Sequence, residues 1–211
     1  MQDPEVTCLS YAASALWVLG YPDQALKRSQ EALALAQELP QPFSLAFALT
    51  WAALLHQHRR EWQATQERAE AAIALSAEQG FPNYLALGTL ARGWALAEQG
   101  QIEEGIAQIR QGLVRGRVVG QSNCLVILAE AYRKTGQAEE GLSALAEALD
   151  LVQKTGERFY EAELYRLKGE LTLQKFQVSG SKFQLQTNQK TKGKGPRKSS
   201  VISSQLSVPN S

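Results

Sequence analysis

The sequence is poor in the residues that most often carry chemistry. It has two cysteines, Cys8 and Cys124, and two histidines, His56 and His58. The cysteines are far apart and form no CxxC or Cys/His spacing, which favours two reduced, buried thiols in a cytoplasmic protein over a disulfide or metal site. The side chains of the two histidines would point about 200° apart on a helix and so could not bind one metal ion together. We therefore predict that they are packed or lie at a helix corner. We therefore expect no cofactor, no metal and no enzymatic activity.

Other signals are missing as well. The N-terminus lacks the basic and apolar regions of a signal peptide, and no run of about 18 apolar residues predicts a membrane span. The segment 193–199 contains Gly and Lys but lacks the GxxxxGK[ST] spacing of a phosphate-binding loop. The pairs Glu103-Glu104 and Glu139-Glu140 fall where helices begin, so we interpret them as partners of the helix dipole rather than catalytic acids.

Charge is unevenly distributed along the chain. Residues 1–170 hold 15 bases against 21 acids, a net charge of about −6, whereas residues 171–211 hold seven bases and no acid. From Phe176 onward the composition turns to Gln, Ser, Lys, Thr and Gly, which predicts a disordered basic tail over residues 175–211. The tail has few aromatic residues for stacking on bases, so nucleic-acid binding is the less favoured interpretation.

What the sequence does contain is a repeated helix corner. Apolar residues recur at helical spacing up to a glycine, and a second helix follows at once, as at Gly20, Gly100 and Gly136. The corners and the helix ends are offset by 40, 40 and 36 residues, and Arg60 stands where the other corners have glycine. Four antiparallel helix hairpins are predicted, over residues 3–40, 41–80, 81–120 and 121–156.

Two irregularities follow from the same spacing. The offset of 36 places four missing residues in the first helix of the fourth hairpin, which predicts a shorter helix from about Cys124 to Lys134. A ninth helix is predicted from about Arg158 to Gln174, with no partner helix after it. Its leucines Leu164, Leu167 and Leu171 are therefore expected to form an uncovered flank that frays or self-associates.

The corners resemble those of the tetratricopeptide repeat (TPR). The unit formed by residues 128–132, Gly136 and residues 148–149 is the best match, and Gly93 and Gly169 occupy the small-residue position of the first helix. The resemblance covers residues 3–174 and implies an all-α, right-handed superhelical solenoid that binds proteins. The period of 40 rather than 34 departs from the usual repeat.

The longer repeat is similar to C-terminal arms of bacterial signal-transduction ATPases linked to adenylate or guanylate cyclase domains, most closely at residues 19–26, 60–62, 78–82 and 160–171. This resemblance implies a detached or truncated regulatory arm of such a protein. A nucleic-acid-associated protein acting through the basic tail, or a gene fragment without independent function, remains an alternative interpretation.

In such solenoids the first helix of each hairpin lines the concave groove. By register, the groove candidates for a protein, peptide or small effector are Ser14, Trp17, Phe47, Thr50, Leu54, Gln57, Leu90, Trp94, Glu130 and Arg133. The tryptophans have an alternative interpretation as core residues between helices.

Overall fold

The computed structural model describes residues 2–115 and 121–192, with side chains described as far as residue 177, apart from residue 115. Within these residues the chain forms nine helices and no strand, so the predicted all-α solenoid of antiparallel hairpins is confirmed. The helices are α1 (Pro4–Val18), α2 (Pro22–Glu38), α3 (Pro42–His58), α4 (Trp62–Gln79), α5 (Pro82–Glu98), α6 (Ile102–Arg115), α7 (Gln121–Lys134), α8 (Ala138–Thr155) and α9 (Glu161–Lys192).

Proline marks where several helices begin. Pro4, Pro22, Pro42 and Pro82 are the first residues of α1, α2, α3 and α5, where a fixed φ and a missing amide hydrogen cost nothing. Asp3 caps α1, since its carboxylate accepts hydrogen bonds from the next two free amides at 2.9 and 3.0 Å. These local signals fix the helix starts independently of packing.

The corners between paired helices share one backbone conformation. Gly20, Gly100 and Gly136 have φ values of 84°, 90° and 75°, and Arg60 adopts the same left-handed conformation at 61°. Glycine reaches this region without steric cost, whereas a residue with a Cβ is strained there by about 1–2 kcal/mol. The arginine corner is thus a true corner, held by a less suitable residue.

Small residues allow paired helices to approach closely. A Cβ added to Gly93 on α5 would lie 2.8 Å from the carbonyl oxygen of Gly105 on α6, and one added to Gly105 would lie 2.6 Å from the carbonyl oxygen of Gly93. The backbones are therefore in direct contact at this crossing. The small-residue position predicted from the repeat is a packing requirement.

The buried side chains form one large and several smaller clusters. The largest joins α5 to α9 and includes Leu90, Trp94, Ile109 and Leu145. A second cluster, around Val6, Phe47 and the partly buried Trp51, joins α1 to α5 through side chains of the first hairpins. Each hairpin therefore buries its apolar face on its neighbours, as expected for a repeat protein.

The fourth hairpin has the predicted short first helix, but its start differs. The 14-residue α7 begins at Gln121, three residues before the predicted Cys124, whereas α3 and α5 each have 17 residues. Ser122, in the first turn of this helix, is already buried. The predicted helix end at Gly120 lies outside the described residues.

The ninth helix differs most from its prediction. It begins at Glu161 and extends to Lys192, well beyond the predicted end at Gln174. The next corner of the repeat would fall at Phe176, and a bulky residue disfavours the left-handed conformation that a corner requires. The Gln- and Lys-rich sequence that follows contains no proline before residue 193, so the helix continues. The disordered tail is predicted over residues 175–211; α9 includes residues 175–192 of this segment, and residues 193–211 lie outside the described residues.

The predicted exposed flank of α9 is also wrong. Leu164, Leu167 and Leu171 are all fully buried and belong to the large cluster formed with α5 to α8. The exposed apolar side chains of this helix within the described part are Tyr165, Leu173 and Phe176. The helix carries two apolar faces, and packing on α7 and α8 uses the leucine face.

The chain divides into two compact units, Met1–Gln174 and Lys175–Ser211. None of the helices that the structure describes combines the length and apolarity of a membrane span. Cys124 is buried as predicted, but Cys8 is exposed because it lies on the outer face of α1. The prediction of two buried thiols is therefore wrong for Cys8.

Candidate functional site

The inner faces of the first helices enclose a cavity of about 990 Å³, which we call the chamber. Its wall includes Trp17 from α1, Trp51 and Leu54 from α3 and Leu87 from α5. Phe159, from the loop between α8 and α9, closes the opposite side. Large apolar side chains at the surface of a deep concavity are typical of ligand-binding sites.

Aromatic rings on the two sides of the chamber are held by ring contacts. Trp17 stacks on His58, with ring centroids 6.3 Å apart and planes 16° from parallel. Trp51 packs edge-on against Tyr11 at 5.1 Å. On the other side, Phe159 and Tyr160 pack against each other at 4.7 Å. Such contacts fix the ring orientations before any ligand binds.

The loop that carries Phe159 and Tyr160 owes its position to the end of α8. Gly156 adopts a left-handed φ of 74°, and its amide donates to the carbonyl oxygen of Val152 at 2.9 Å. This ending turns the chain sharply, so residues 157–160 return toward the first helices. The opening of the chamber therefore depends on a local helix-ending signal.

The chamber adjoins a smaller cavity of about 200 Å³, which we call the polar pocket. The two share His58, Asn123, Tyr160 and Glu163 in their walls. The polar pocket is also lined by side chains near the ends of α3, α5 and α7, which are Gln57, Arg60, Trp94, Val126, Ile127 and Glu130.

Arg60 connects the α3–α4 corner to α7. Its guanidinium donates two hydrogen bonds to the carboxylate of Glu130, at 2.9 and 3.3 Å, and lies 3.8 Å from Glu98 on α5. The hydrogen bond to Glu130 raises the pKa of Arg60. Because a glycine corner could not make this contact, the ion pair accounts for an arginine in a strained conformation.

Burial sets the protonation of three further groups. Burial, and to a lesser degree the charge of Arg60, holds the pKa of His58 below its usual value, so the ring is neutral near pH 7. Burial raises the pKa of Cys124 to about 12 and that of Tyr160 to about 12. The tyrosine hydroxyl therefore stays a neutral hydrogen-bonding group, and the thiol is not an activated nucleophile.

The structure brings seven of the ten predicted groove residues to these cavities. Ser14, Trp17, Leu54 and Leu90 line the chamber, and Gln57, Trp94 and Glu130 line the polar pocket.

The other three lie elsewhere. Phe47 is 4% exposed within the core, and the buried Thr50 donates its hydroxyl hydrogen to the carbonyl oxygen of Ala46 at 2.7 Å. Arg133 lies 3.5 Å from Glu170 on α9.

Sequence reasoning missed the side of the chamber formed by the α8–α9 loop. Glu157, Phe159 and Tyr160 were not among the groove candidates because the register considered first helices and not loops, and Glu163 was missed because the register stopped before α9. The signal available was an aromatic pair, Phe159-Tyr160, that begins three residues after the helix-ending Gly156. Trp51, which is not among the groove candidates, is part of both the core and the chamber wall.

The described residues contain no group of three or more His, Cys, Asp or Glu side chains placed to hold a metal ion. The Nδ1 atom of His56 lies 2.6 Å from a carboxylate oxygen of Glu61 across the α3–α4 corner. It thus has a carboxylate partner that the sequence did not reveal, and it is a corner histidine as predicted.

No protein-family model matches the chain, and no curated protein sequence matches it. Several solved structures are similar. The apo form of RapI superposes with a TM-score of 0.64 at 13% identity, covering 90% of this chain and 72% of that one. A Podosopora anserina protein with nearly identical TPR-like repeats gives 0.57 at 18% identity, covering 89% and 94%.

BtubC from P. vanneervenii gives a TM-score of 0.54 at 18% identity, covering 96% of this chain and 86% of that one. At such identities the likeness concerns the fold. The TPR-like fold expected from the corner glycines is therefore confirmed, while the similarity to arms of signalling ATPases stays a prediction.

Proposed function

We propose that the protein is a binding scaffold whose chamber receives an apolar segment of a protein partner. The observation that carries this proposal is a concavity of about 990 Å³ walled by the apolar side chains of Trp17, Trp51, Leu54 and Phe159. Burying such rings against a partner's apolar side chains removes a large apolar area from water, which is the main driving force of peptide binding.

We further propose that binding serves regulation, as an arm that acts on a signalling ATPase or cyclase domain. The support is the sequence resemblance, above all the 40-residue period and the segments 19–26 and 160–171. In this proposal a partner segment in the chamber links the first helix, α1, to the loop before α9. A cytoplasmic location also stays a prediction.

A random peptide display selection tests the scaffold function. Peptides selected on the wild-type protein should bind it and lose at least about tenfold in affinity for Leu54→Arg, because the arginine puts a charge on the chamber wall. Ala146→Arg is the matched control, since Ala146 is exposed on α8 and lies outside the chamber. Selected peptides that bind both variants equally, or a selection without enrichment, would contradict the proposal.

We also propose self-association, through the face of α9 that carries Tyr165 and Leu173 rather than through its buried leucines. No atom of the described residues lies within 4 Å of a Cβ added to Gly169, which lies between Tyr165 and Leu173, 55% and 65% exposed. Arg166 and Glu170 lie on one flank of this face. An antiparallel pair of α9 helices would place each beside its opposite charge on the second copy.

Sedimentation over a concentration series tests this arrangement. Wild type should dimerise, and Gly169→Leu should be monomeric yet no less helical, because leucine blocks close approach but favours helix. Lys154→Leu, on the exposed part of α8, is the control. A monomeric wild type would overturn the proposal, as would a peptide of residues 193–211 that perturbs the amide signals around Gly169, since the chain's own end would then cover the face.

A further inference from the structure

The charged groups in the chamber wall have one sign. Glu157 and Glu163 line it, and no lysine or arginine of the described residues does so. His58 is the remaining titratable base in the wall, and it is neutral near pH 7 for the reasons given above. An apolar chamber with two carboxylates favours a ligand that brings positive charge.

The two carboxylates differ in how they are neutralised. Glu163 accepts hydrogen bonds from the guanidinium of Arg166, its neighbour one turn along α9, and this contact lowers the pKa of Glu163. Glu157 is half-buried in the loop between α8 and α9, and within the described part of the chain it has no ion-pair partner. A partly buried carboxylate without a counterion is stabilised when a cation binds beside it.

The polar pocket supplies an unused acceptor. Gln57 is 5% exposed, and its buried Oε1 has no hydrogen-bond partner among the described residues. A buried acceptor left unpaired costs about 1–3 kcal/mol, so a donor from a ligand would be favoured there. Among the described residues that line the polar pocket, Arg60 carries the positive charge. Its guanidinium is already hydrogen-bonded to Glu130.

The aromatic rings in the chamber wall also favour a positively charged ligand. Trp17 and Trp51 line one side of the chamber, and Phe159 and Tyr160 the other. The faces of aromatic rings carry partial negative charge, so they attract ammonium and guanidinium groups, most strongly when water is excluded. A neutral histidine stacked on Trp17 does not oppose this attraction.

We propose that the chamber selects an amphipathic cation, namely an arginine or lysine side chain that lies beside a large apolar residue in the partner's segment. The apolar residue packs on the leucine and tryptophan wall, the charged group lies near Glu157, and its N–H groups reach Gln57 Oε1. This inference rests on the proposed scaffold function and specifies the chemistry of its ligand.

Three probes of equal length separate charge from apolar contact. They are phenylbutylamine, which is cationic at pH 7, the neutral phenylbutanol and the anionic phenylbutyrate, each titrated into the full chain by NMR. We expect the amine to bind at least about tenfold more tightly than the alcohol, and the anion most weakly. Shifts should concentrate at Trp17, Trp51 and Tyr160.

Two variants assign the preference to the residues named. Glu157→Gln should reduce amine affinity to nearly that of the alcohol while leaving alcohol affinity unchanged, and Gln57→Leu should weaken the amine selectively. Glu147→Gln, on the exposed face of α8, is the control and should change nothing. An amine that binds no better than the alcohol, or a Glu157→Gln variant that keeps the preference, overturns the inference.

The two proposals fail in different ways. Equal binding of the alcohol and the amine would show an apolar site without charge selection, which ends this inference and leaves the scaffold function standing. If none of the three probes binds, the inference fails as well, while the peptide selection with Leu54→Arg still decides whether the chamber binds protein segments.

Discussion

Helices α5 and α9 occupy equivalent places in the repeat, yet one is enclosed and the other is not. On α5, Gly93 meets the backbone of α6 so closely that no side chain fits, and Trp94 beside it is 3% exposed. On α9, a Cβ added to the equivalent Gly169 would meet no atom within 4 Å among the residues that the structure describes. A small residue at this position of the repeat therefore allows a second helix to approach closely, whether or not that helix is present.

The same comparison distinguishes the two faces of α9. The face that packs on α7 and α8 is as buried as any in α5, with Leu167 at 0% exposure, while Leu173 on the opposite face is 65% exposed. Helix α9 is therefore an integral part of the solenoid on one side, while its other side is exposed as far as the described residues show.

The largest expected effect on the free energy of unfolding comes from truncating a leucine on the buried face of α9, compared with a leucine on its exposed face. Leu167→Ala should reduce the free energy of unfolding by about 2–5 kcal/mol, because it leaves a cavity in the large cluster. Leu173→Ala should change it by less than about 0.5 kcal/mol, since its side chain is in water. Urea denaturation followed by circular dichroism measures both. Equal effects would show that α9 is not packed through its leucine face.

Adding one methyl group at the two equivalent glycines should have opposite effects. Gly93→Ala should lower the free energy of unfolding by about 1–3 kcal/mol, because the new Cβ would meet backbone atoms of α6 that cannot move aside. Gly169→Ala should raise it by about 0.5–1 kcal/mol through helix propensity alone. Measurements must be made where the protein is monomeric. A loss of stability at Gly169 would mean that this face is already covered.

The corners offer a comparison of the same kind between Arg60 and its glycine counterparts. Arg60→Ala and Arg60→Gly both remove the ion pair to Glu130, but only alanine keeps the strain of a left-handed residue. The glycine variant should therefore be more stable than the alanine variant by about 1 kcal/mol. If thermal melts show the two variants equal, the corner has relaxed away from its left-handed conformation.

The smallest expected effect is the pH dependence of stability that His58 causes. His58 lies at the end of α3, in the position that Glu98 occupies on α5. Because burial and Arg60 lower the pKa of His58 from 6.5 in the folded chain, the unfolded chain binds the proton first as the pH falls. Stability that is fully present above about pH 6.5 should decline as the pH drops through the folded pKa. His58→Gln should flatten this part of the pH profile, and an unchanged slope would contradict it.

The sequence predicts what is local and periodic in this fold. Corner glycines, helix-starting prolines and the short α7 follow from spacing, because each depends on a few neighbouring residues. The chamber depends on curvature that brings α1 near the α8–α9 loop, and spacing carries no measure of curvature. Leu164 and Tyr165 lie on two apolar faces of one helix, and only packing on α7 and α8 decides which face is buried.

The ion pair between Arg60 and Glu130 has a consequence for folding rates. Its partners are 70 residues apart in the chain, and α4, α5 and α6 lie between them. Contacts of such separation form late, after the intervening helices have packed, so this one is absent from an early transition state. Losing it should therefore speed unfolding while leaving the folding rate nearly unchanged, which makes the strained corner a determinant of how long the native solenoid persists.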